Sequence, residues 1–295
     1  MKVLSFGSLN IDNVYKVKHF VQKGETLASS SLSINSGGKG LNQSIALAKA
    51  GLEVYHAGAI GQDGKFLLNI LHSDEVNTDY VKCLDNVKTG HAIIQNDEAG
   101  DNCILLFKGA NHCITRTQID ETLAHFSSGD ALVLQNEINE LEYLSQQAKA
   151  KGMIIALNPS PMDENLLSVI PYADYLLLNE IEAGQLLGEQ SDDFEATARA
   201  LLSRYPDANI LMTLGAKGAI FVNRDNFIMQ EAIRVQPVDT TAAGDTYTGY
   251  FLANVFEDKD FAKAMKLATI ASSIAITRPG AAQSIPTKEE VLERA

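Results

Sequence analysis

The sequence predicts an α/β protein built around a mainly parallel β-sheet, with a small β-sheet appended to it. Short apolar runs alternate with helical patterns along most of the chain, which is the pattern of repeated βαβ units. Several of these runs are apolar almost without interruption, as strands covered on both faces are. Two further regions break this alternation and have the pattern of paired antiparallel strands.

The elements follow one another in a regular order. The predicted strands of the main sheet are residues 3–6, 54–57, 131–134, 154–157, 175–178, 210–213 and 219–222. The predicted helices are residues 41–50, 66–71, 140–151, 194–204, 244–256 and 261–277. In the last helix, apolar and small residues recur at steps of three and four, which places them on one helical face.

The small sheet is predicted from residues 14–34 and 90–107, with a turn at 97–101 in the second region. Neither region contains an obvious crossover helix. We expect the two regions to form a lid over the edge of the main sheet, and the alternative is a pair of hairpins without a function. Because no repeat or long linker is visible, residues 1–295 are expected to form one domain.

Composition excludes several classes of function. The 295 residues are 45% hydrophobic and 21% charged, with a net charge of −13, so nucleic acid and anionic membranes are poor partners. No apolar stretch approaches the roughly 20 residues of a membrane span. Three cysteines without a close pair, and six scattered histidines, suggest neither a zinc site nor a disulfide framework, and they fit a cytoplasmic protein.

The most informative segment is residues 238–246, VDTTAAGDT, which lead directly into a predicted helix. Small residues at a helix start let backbone N–H groups approach a phosphate, and the helix dipole favours negative charge there. Asp245 lies at this same end and could accept a proton from an alcohol. Asp is also common as a helix cap, so from this segment alone a base and a cap are equally good interpretations.

Two motifs about 200 residues apart resemble a known family. Residues 239–245, DTTAAGD, resemble the C-terminal signature of the ribokinase-like (PfkB) carbohydrate kinases, and residues 36–43, SGGKGLNQ, resemble their N-terminal signature. Further similarity at residues 7–12, 109–111, 179–183, 213–218 and 277–284 extends the resemblance over essentially the whole chain. Tyr250 departs from the family, which usually has a small residue there.

The resemblance implies a three-layer α/β/α ribokinase-like fold and a set of catalytic residues. Asp245 would be the catalytic base, and the N–H groups of Ala242, Ala243 and Gly244 would stabilise the transferred phosphoryl group. The positions that match sugar contacts are Asn10, Asp12, Gly38, Lys39, Asn42 and Glu137. Without the resemblance, Asn10 and Asp12 read as turn residues and Lys39 as a solvated charge.

The same resemblance implies sites for the nucleotide and for ions. The matching positions are Asn179, Thr213, Gly215, Gly218 and Thr269 for ATP; Asn179 and Glu182 for Mg²⁺, held through water; and Asp239, Thr241, Ala275, Arg278, Gly280 and Ser284 for K⁺, largely through backbone carbonyls. From the residues alone, Asn179 and Glu182 also fit a helix capping box. The two glycines equally fit an ordinary tight turn.

The expected activity is transfer of the γ-phosphoryl group of ATP to a hydroxymethyl group of a small sugar, with ribose giving ribose 5-phosphate. Related acceptors remain open: deoxyribose, fructose, a nucleoside or a sugar acid. A non-catalytic sugar or nucleotide sensor is a second class of function. A dinucleotide-binding oxidoreductase fits poorly, because residues 7–12 lack the spaced glycines of that fold. The family resemblance and the edges of the small sheet also predict a homodimer formed through the lid.

Overall fold

The computed structural model describes residues 1–295, which form thirteen strands and nine α-helices. The strands are β1 (Val3–Phe6), β2 (Asn10–Lys16), β3 (Ser31–Gly37), β4 (Val54–Gly61), β5 (Asn77–Leu84), β6 (Gly90–Asn96), β7 (Asn102–Phe107), β8 (Ala131–Gln135), β9 (Ile154–Asn158), β10 (Tyr175–Asn179), β11 (Asn209–Thr213), β12 (Ala219–Val222) and β13 (Phe227–Gln230). The helices are α1 (Lys39–Lys49), α2 (Lys65–Ser73), α3 (Arg116–Leu123), α4 (Leu141–Ala150), α5 (Glu180–Leu187), α6 (Phe194–Arg204), α7 (Ala243–Asp258), α8 (Phe261–Ala275) and α9 (Lys288–Leu292).

Nine strands form the main sheet in the order β13-β12-β11-β10-β9-β8-β1-β4-β5. The seven strands from β11 to β5 are parallel, and β12 and β13 close one side as antiparallel neighbours. Every residue of β1 and β8 is buried, which explains why these strands are almost entirely apolar in the sequence. The predicted mainly parallel sheet is therefore observed.

Helices cover both faces of this sheet and create two separate cores. One core of 36 buried residues joins one face of the sheet to α1, α2, α7 and α8. The other, of 33 buried residues, joins the opposite face to α3, α4, α5 and α6. Because each strand sends alternate side chains to opposite faces, Leu4 and Phe6 enter the second core whereas Val3 enters the first. This arrangement has the three layers that the resemblance implied.

Five elements were missing from the prediction: β5, β13, α3, α5 and α9. The strands β5 and β13 lie at the two edges of the main sheet, where most of their side chains are only partly buried and the apolar signal is weak. The short helix α5 begins immediately after β10, so the apolar residues of strand and helix run together in the sequence.

The small sheet has four strands in the order β3-β2-β6-β7. The two predicted regions are the antiparallel pairs β2–β3 and β6–β7, and parallel pairing of β2 with β6 joins them. The strands extend beyond the predicted boundaries, because β2 already begins at Asn10 and β3 ends at Gly37. One face of this sheet lines a cleft, and the other carries the exposed apolar side chains Leu32, Ile34, Ile93, Leu105 and Phe107.

The helices α1 and α7 pack closely against each other in the first core. Gly249 of α7 has no room for a side chain, because a methyl group there would overlap Ala46 of α1. The next residue, Tyr250, is 1% exposed, and its hydroxyl donates a 2.7 Å hydrogen bond to the carbonyl of Pro286. The large residue at this position is therefore accommodated, and it connects α7 to the segment before α9.

No helix combines the length and the apolar character that crossing a bilayer requires.

Replacing Gly249 by Ala should destabilise the protein by about 1–3 kcal/mol, because the methyl group forces α7 away from α1 in a packed core. Urea unfolding followed by circular dichroism measures this loss. Gly184→Ala in α5 is the matched control, because its methyl group would meet only the flexible end of the exposed Gln190 side chain. Equal effects of the two substitutions would contradict the importance of the α1–α7 contact.

Candidate active site

A cleft of about 1090 Å³ lies between the small sheet and the main body of the protein. The small sheet contributes its inner face, including Ala92, Ile94 and Leu106. All six positions predicted to contact a sugar line this cleft: Asn10, Asp12, Gly38, Lys39, Asn42 and Glu137. Asp245 lies in the same cleft, so residues from β2, α1, the loop after β8 and α7 meet there.

Asp12 presents a carboxylate that accepts no hydrogen bond from the protein. It lies beneath Gly37, where any side chain would collide with its carboxyl group. Burial, assisted by the charge of Glu137, raises the pKa of Asp12 to about 6. Such a group is costly unless a ligand supplies hydrogen-bond donors, and vicinal hydroxyl groups are suitable donors.

Two other sugar-site residues are held firmly by the protein. The carboxylate of Glu137 accepts hydrogen bonds from the Ser8 hydroxyl and, at 3.0 Å, from the backbone N–H of Lys39. The side-chain oxygen of Asn10 accepts a 2.7 Å hydrogen bond from the Nδ2 of the buried Asn111. That contact fixes the Asn10 amide so that its NH₂ group remains available as a donor. Sequence reasoning missed Ser8 and Asn111 as site residues, although both lie in segments that resemble the family.

Asp245 occupies the first turn of α7 and is 7% exposed. Its Oδ2 accepts a 3.0 Å hydrogen bond from Asn42 Nδ2, and its Oδ1 accepts a 2.9 Å hydrogen bond from Gln43 Nε2. The carboxylate caps no backbone N–H of α7, because the N-cap position is Ala242 and has no side-chain cap. The capping interpretation of Asp245 is therefore wrong, and the carboxylate is held by the side chains of α1.

The start of α7 exposes backbone donors to the cleft. The N–H groups of Ala242, Gly244 and Asp245 have no acceptor in the protein, whereas the N–H of Ala243 donates to the carbonyl of Thr240 at 3.2 Å. Ala242 has a left-handed backbone with φ 60°, which costs about 1 kcal/mol or more for a residue other than glycine. A methyl group on Gly244 would meet only open space. Of the three amides predicted to bind the phosphoryl group, those of Ala242 and Gly244 are free and that of Ala243 is engaged within the protein, and the anion site itself remains a prediction.

Lys39 lies between three carboxylates without forming an ion pair with any of them. Burial opposes the charged form of its ammonium group. The charges of Asp245, Glu137 and Glu182 outweigh burial and raise the pKa of Lys39. Its ammonium group is therefore a fixed positive charge, and it borders both the sugar cleft and the cavity that contains Glu182.

A second cleft of about 690 Å³ lies on the other side of the α7 N-terminus. Four of the predicted nucleotide positions line it: Thr213, Gly215, Gly218 and Thr269. Gly218 has φ 106°, and a side chain there would collide with the carbonyl of Gln230, so the turn requires glycine. Gly244 borders this cleft whereas Ala242 and Asp245 border the sugar cleft, which places the free amides of α7 between the two clefts.

A cavity of about 280 Å³ connects the two clefts and contains Asn179 and Glu182. These residues form the capping box of α5, in which the Asn179 side chain accepts from the N–H of Glu182 and Glu182 Oε2 accepts from the N–H of Asn179. The second carboxylate oxygen of Glu182 has no protein donor. Hard carboxylate oxygens facing a phosphate site suit a hydrated Mg²⁺, so the residues fit that ion.

The six positions predicted for K⁺ divide into two groups. Both oxygens of Asp239 accept 2.9 Å hydrogen bonds, from the N–H groups of Thr241 and Gly280, and these three residues border the sugar cleft. Burial opposes ionisation of Asp239, but the hydrogen bonds from Thr241 and Gly280 outweigh it and lower its pKa. The others do not line the clefts: Ala275, Arg278 and Ser284.

Arg278 in particular directs its guanidinium group away from the cleft and forms an ion pair with Glu290. Any part it takes in a cation site must therefore come from its backbone. Across the whole chain, no three His, Cys, Asp or Glu side chains cluster as a metal site.

The protein matches the model of the pfkB family of carbohydrate kinases over residues 1–288. The chain belongs to this family. A ribokinase of Haemophilus influenzae is 35% identical over 97% of this chain and 96% of its own length, and a deoxyribokinase of Salmonella typhi is 32% identical over 99% and 98%. The structure of Arabidopsis thaliana ribokinase complexed with ribose and ATP superimposes with a TM-score of 0.88 at 29% identity, and it covers 99% of this chain and 97% of that one.

Membership of the pfkB family confirms three predictions made from the sequence. The family itself and the ribokinase-like fold are confirmed, as is the enzyme class of ATP-dependent carbohydrate kinase. The roles of individual site residues remain predictions, because similarity to these proteins does not show what each side chain does here. Among the residues missed, Gln43 lies inside the SGGKGLNQ motif, but nothing in its type or spacing separates it from an ordinary helix residue.

Replacing Asp12 by Asn should stabilise the free protein at neutral pH. The pKa of Asp12 is higher in the folded state, about 6 against 3.8, so its contribution to stability is complete below pH 4 and is lost as the pH rises through 6. At pH 7.5 the variant should gain up to about 3 kcal/mol and melt several degrees higher, and the gain should vanish near pH 4.

Thermal unfolding at a series of pH values without sugar checks this expectation. Asp79→Asn is the control, because Asp79 is exposed on β5 and lies outside the cleft. A stability difference between wild type and the Asp12 variant that stayed constant from pH 4 to 8 would contradict a raised pKa.

Proposed function

We propose that this protein is a ribokinase, which transfers the γ-phosphoryl group of ATP to the 5-hydroxyl of ribose. One observation carries the proposal: the six predicted sugar positions and Asp245 line a single cleft, and the free amides of α7 separate that cleft from the predicted nucleotide cleft. An alcohol bound on one side can thus meet a triphosphate bound on the other. The similarity to ribokinases of Haemophilus influenzae and Arabidopsis thaliana supports the same choice.

The polar groups of the cleft complement a pentose. Asp12 lacks donors and Asn10 has a free NH₂ group, so together they offer acceptors and a donor to neighbouring hydroxyls. The 2-deoxy sugar lacks one hydroxyl of the vicinal pair. It would leave a buried carboxylate less well satisfied, which enzymes use to discriminate between such analogues. This argument favours ribose over deoxyribose.

The transfer follows from the positions of Asp245 and the α7 amides. Asp245 accepts the proton of the sugar hydroxyl as its oxygen forms a bond to the γ-phosphorus. The bond from that phosphorus to the bridging oxygen of ADP breaks, and ADP leaves with the electron pair. The free N–H groups of Ala242 and Gly244 and the ammonium group of Lys39 stabilise the negative charge on the phosphoryl group during transfer.

Ions complete the proposed site. Glu182 would hold Mg²⁺ through water with its free carboxylate oxygen, and the ion would neutralise phosphate charge when bound. We also propose a K⁺ site beside the α7 N-terminus, because Asp239 joins the loop before α7 to the loop at Gly280 and brings carbonyl-rich backbone together. We place the enzyme in the cytoplasm, and the three free cysteines support a reducing compartment.

Other acceptors and other functions remain as alternatives. Deoxyribose is favoured next, because a deoxyribokinase is among the relatives. Fructose, a nucleoside or a sugar acid would need a cleft of a different shape. Ala92, Ile94 and Leu106 line the cleft on the side of the small sheet, and substitutions at these positions would alter that shape. A non-catalytic sensor would have no use for a buried carboxylate at the junction of the two clefts.

An assay of ADP release over ribose, 2-deoxyribose, fructose, nucleosides and sugar acids tests the proposal, with Na⁺ and K⁺ compared. We expect the highest kcat/KM with ribose, by about tenfold or more over 2-deoxyribose, which corresponds to one lost hydrogen bond to a charged group. Equal or higher activity with another acceptor would reject ribose as the substrate.

The same assay tests the base. Asp245→Asn should lower kcat by about 10²–10⁴-fold, the usual contribution of a general base, with little change in ribose affinity by calorimetry. Asp260→Asn is the matched control, because Asp260 caps the start of α8 and is exposed. Near-normal turnover by the Asp245 variant would refute the mechanism.

We propose in addition that two copies pair through the outer faces of their small sheets. That face exposes a contiguous set of apolar side chains, the largest exposed fractions being 67% for Leu105, 59% for Ile34 and 51% for Leu32. Apolar patches of this kind mark protein interfaces, and a symmetric dimer covers both copies at once. The strands β3 and β7 also leave two sheet edges open to pairing.

Sedimentation velocity at micromolar concentration should show a dimer, and Leu105→Asp with Ile34→Asp should convert it to a monomer. Met229→Asp is the control, because Met229 is 63% exposed on β13 at the far edge of the main sheet. A wild-type monomer under these conditions would exclude this dimer.

A further inference from the structure

A chain of side-chain amides lies directly behind Asp245. Gln43 of α1 is fully buried, and its Nε2 donates a 2.9 Å hydrogen bond to Asp245 Oδ1. Gln135, at the end of β8, is also fully buried, and its Nε2 donates a 2.7 Å hydrogen bond to Gln43 Oε1. The donors thus follow one direction, from Gln135 to Gln43 to the carboxylate. Neither glutamine is needed for the sugar or nucleotide contacts proposed above.

The chain fixes which way the Gln43 amide faces. If that amide rotated by half a turn, its oxygen would face the carboxylate and its NH₂ group would face the NH₂ group of Gln135. Both contacts would then be repulsive. Gln135 therefore holds Gln43 in the orientation that donates to Asp245, assisted by a longer 3.4 Å hydrogen bond from Gln43 Nε2 to Asn158 Oδ1. Aligned hydrogen bonds of this kind strengthen each other.

The protein keeps this arrangement at a cost. The far oxygen of Gln135, Oε1, is buried and has no donor, and an unsatisfied buried acceptor costs about 1–3 kcal/mol. Gly7 makes room for it, because any side chain at Gly7 would collide with that oxygen. An apolar residue in place of Gln135 would remove this unsatisfied oxygen but would leave the buried Oε1 of Gln43 without its donor, so the glutamine at 135 is tied to the orientation of Gln43.

The two oxygens of Asp245 are constrained independently. Gln43 holds Oδ1 while Asn42 holds Oδ2 at 3.0 Å, so rotation of the carboxylate about its Cβ–Cγ bond breaks at least one hydrogen bond. Each oxygen of an ionised carboxylate can accept more than one hydrogen bond. Both oxygens of Asp245 therefore keep a lone pair for the substrate, while the hydrogen bonds from Asn42 and Gln43 fix the orientation of the carboxylate.

We propose that Gln43, held by Gln135, is a positioning residue that aims Asp245 at the acceptor hydroxyl. This inference depends on the proposed role of Asp245 as the base. An error of about 1 Å in the position of a reacting group can cost about 10²-fold in rate, which sets the size of the effect. We call the hydrogen-bonded chain from Gln135 through Gln43 to Asp245 the relay. The relay acts on the rate of phosphoryl transfer, and the sugar and ATP contacts stay intact.

Four variants test the relay by steady-state kinetics. Gln43→Met should lower kcat by about 10- to 100-fold with the KM values for ribose and ATP within about twofold. Gln135→Met should lower kcat by a smaller factor, about three- to tenfold, because the Gln43 amide remains but can rotate. The double variant should match Gln43→Met alone, since Gln135 acts only through Gln43. Gln62→Met is the control, because Gln62 Nε2 makes a similar 2.8 Å hydrogen bond to Asp85 on the surface.

Gln43→Glu gives a readout that a purely structural role would not change, and its nearly identical shape preserves folding if the Met variant fails to fold. A carboxyl group at this position would share a proton with Asp245, since two adjacent carboxylates resist joint ionisation. The acidic limb of the kcat–pH profile should therefore move upward by about one pH unit or more. An unchanged profile would count against the contact.

The outcomes separate this inference from the proposed function. Normal turnover by Asp245→Asn rejects the base and the relay together. An inactive Asp245 variant combined with normal kcat in Gln43→Met rejects the relay alone. Losses in the two glutamine variants that multiply in the double variant would show that Gln135 does not act through Gln43, and they would overturn the relay as proposed.

Discussion

The close contact between α1 and α7 is the constraint on which the site depends. Gly249 lets α7 approach Ala46, and at the other end of α1 Gly40 lies so close to Gly7 and Ser8 that no side chain fits there. These contacts place the first turn of α1 beside the first turn of α7. Asn42 and Gln43 can reach Asp245 only because of this approach, since amide side chains extend a few ångströms at most. The catalytic geometry is therefore a consequence of close packing between small residues that do not themselves take part in the chemistry.

The site also contains charged groups that the protein leaves without partners. Asp12 lacks a donor, Lys39 lacks an ion pair, and one oxygen of Glu182 is free. Each of these unpartnered groups destabilises the ligand-free protein, because buried polar groups without partners cost free energy. The positive charge of Lys39 lies among carboxylates at the junction of the clefts, so a polyol and a phosphate satisfy different members of the set. The uncompensated groups thus define what the ligands must supply.

The sequence predicted the central strands and the two hairpins of the small sheet, because apolar runs and turns carry that information, whereas the sugar positions that share one cleft were implied only by the family resemblance. It missed β5 and β13, whose partly buried residues lack a clear period at the sheet edges. It assigned Ala243 to the anion site, although its N–H is engaged by Thr240. It also overlooked Gln135, since a glutamine at a strand end looks like a surface residue, and only the fold shows that helices and loops bury it. Such contacts join residues about 90 or more positions apart and have no local signal.

The chain path couples recognition of the sugar to placement of the base. The strand β3 ends at Gly37 and α1 begins at Lys39, so a single residue, Gly38, separates the small sheet from the helix that holds Asp245. Gly38 has φ 95°, a backbone conformation that other residues adopt only with strain, and it packs against Ser8. A shift of the small sheet relative to the main sheet must pass through this residue to α1, and from there to Asn42 and Gln43. Recognition and chemistry therefore share one backbone segment, and a substitution that alters the orientation of the sheet is expected to change kcat as well as sugar affinity.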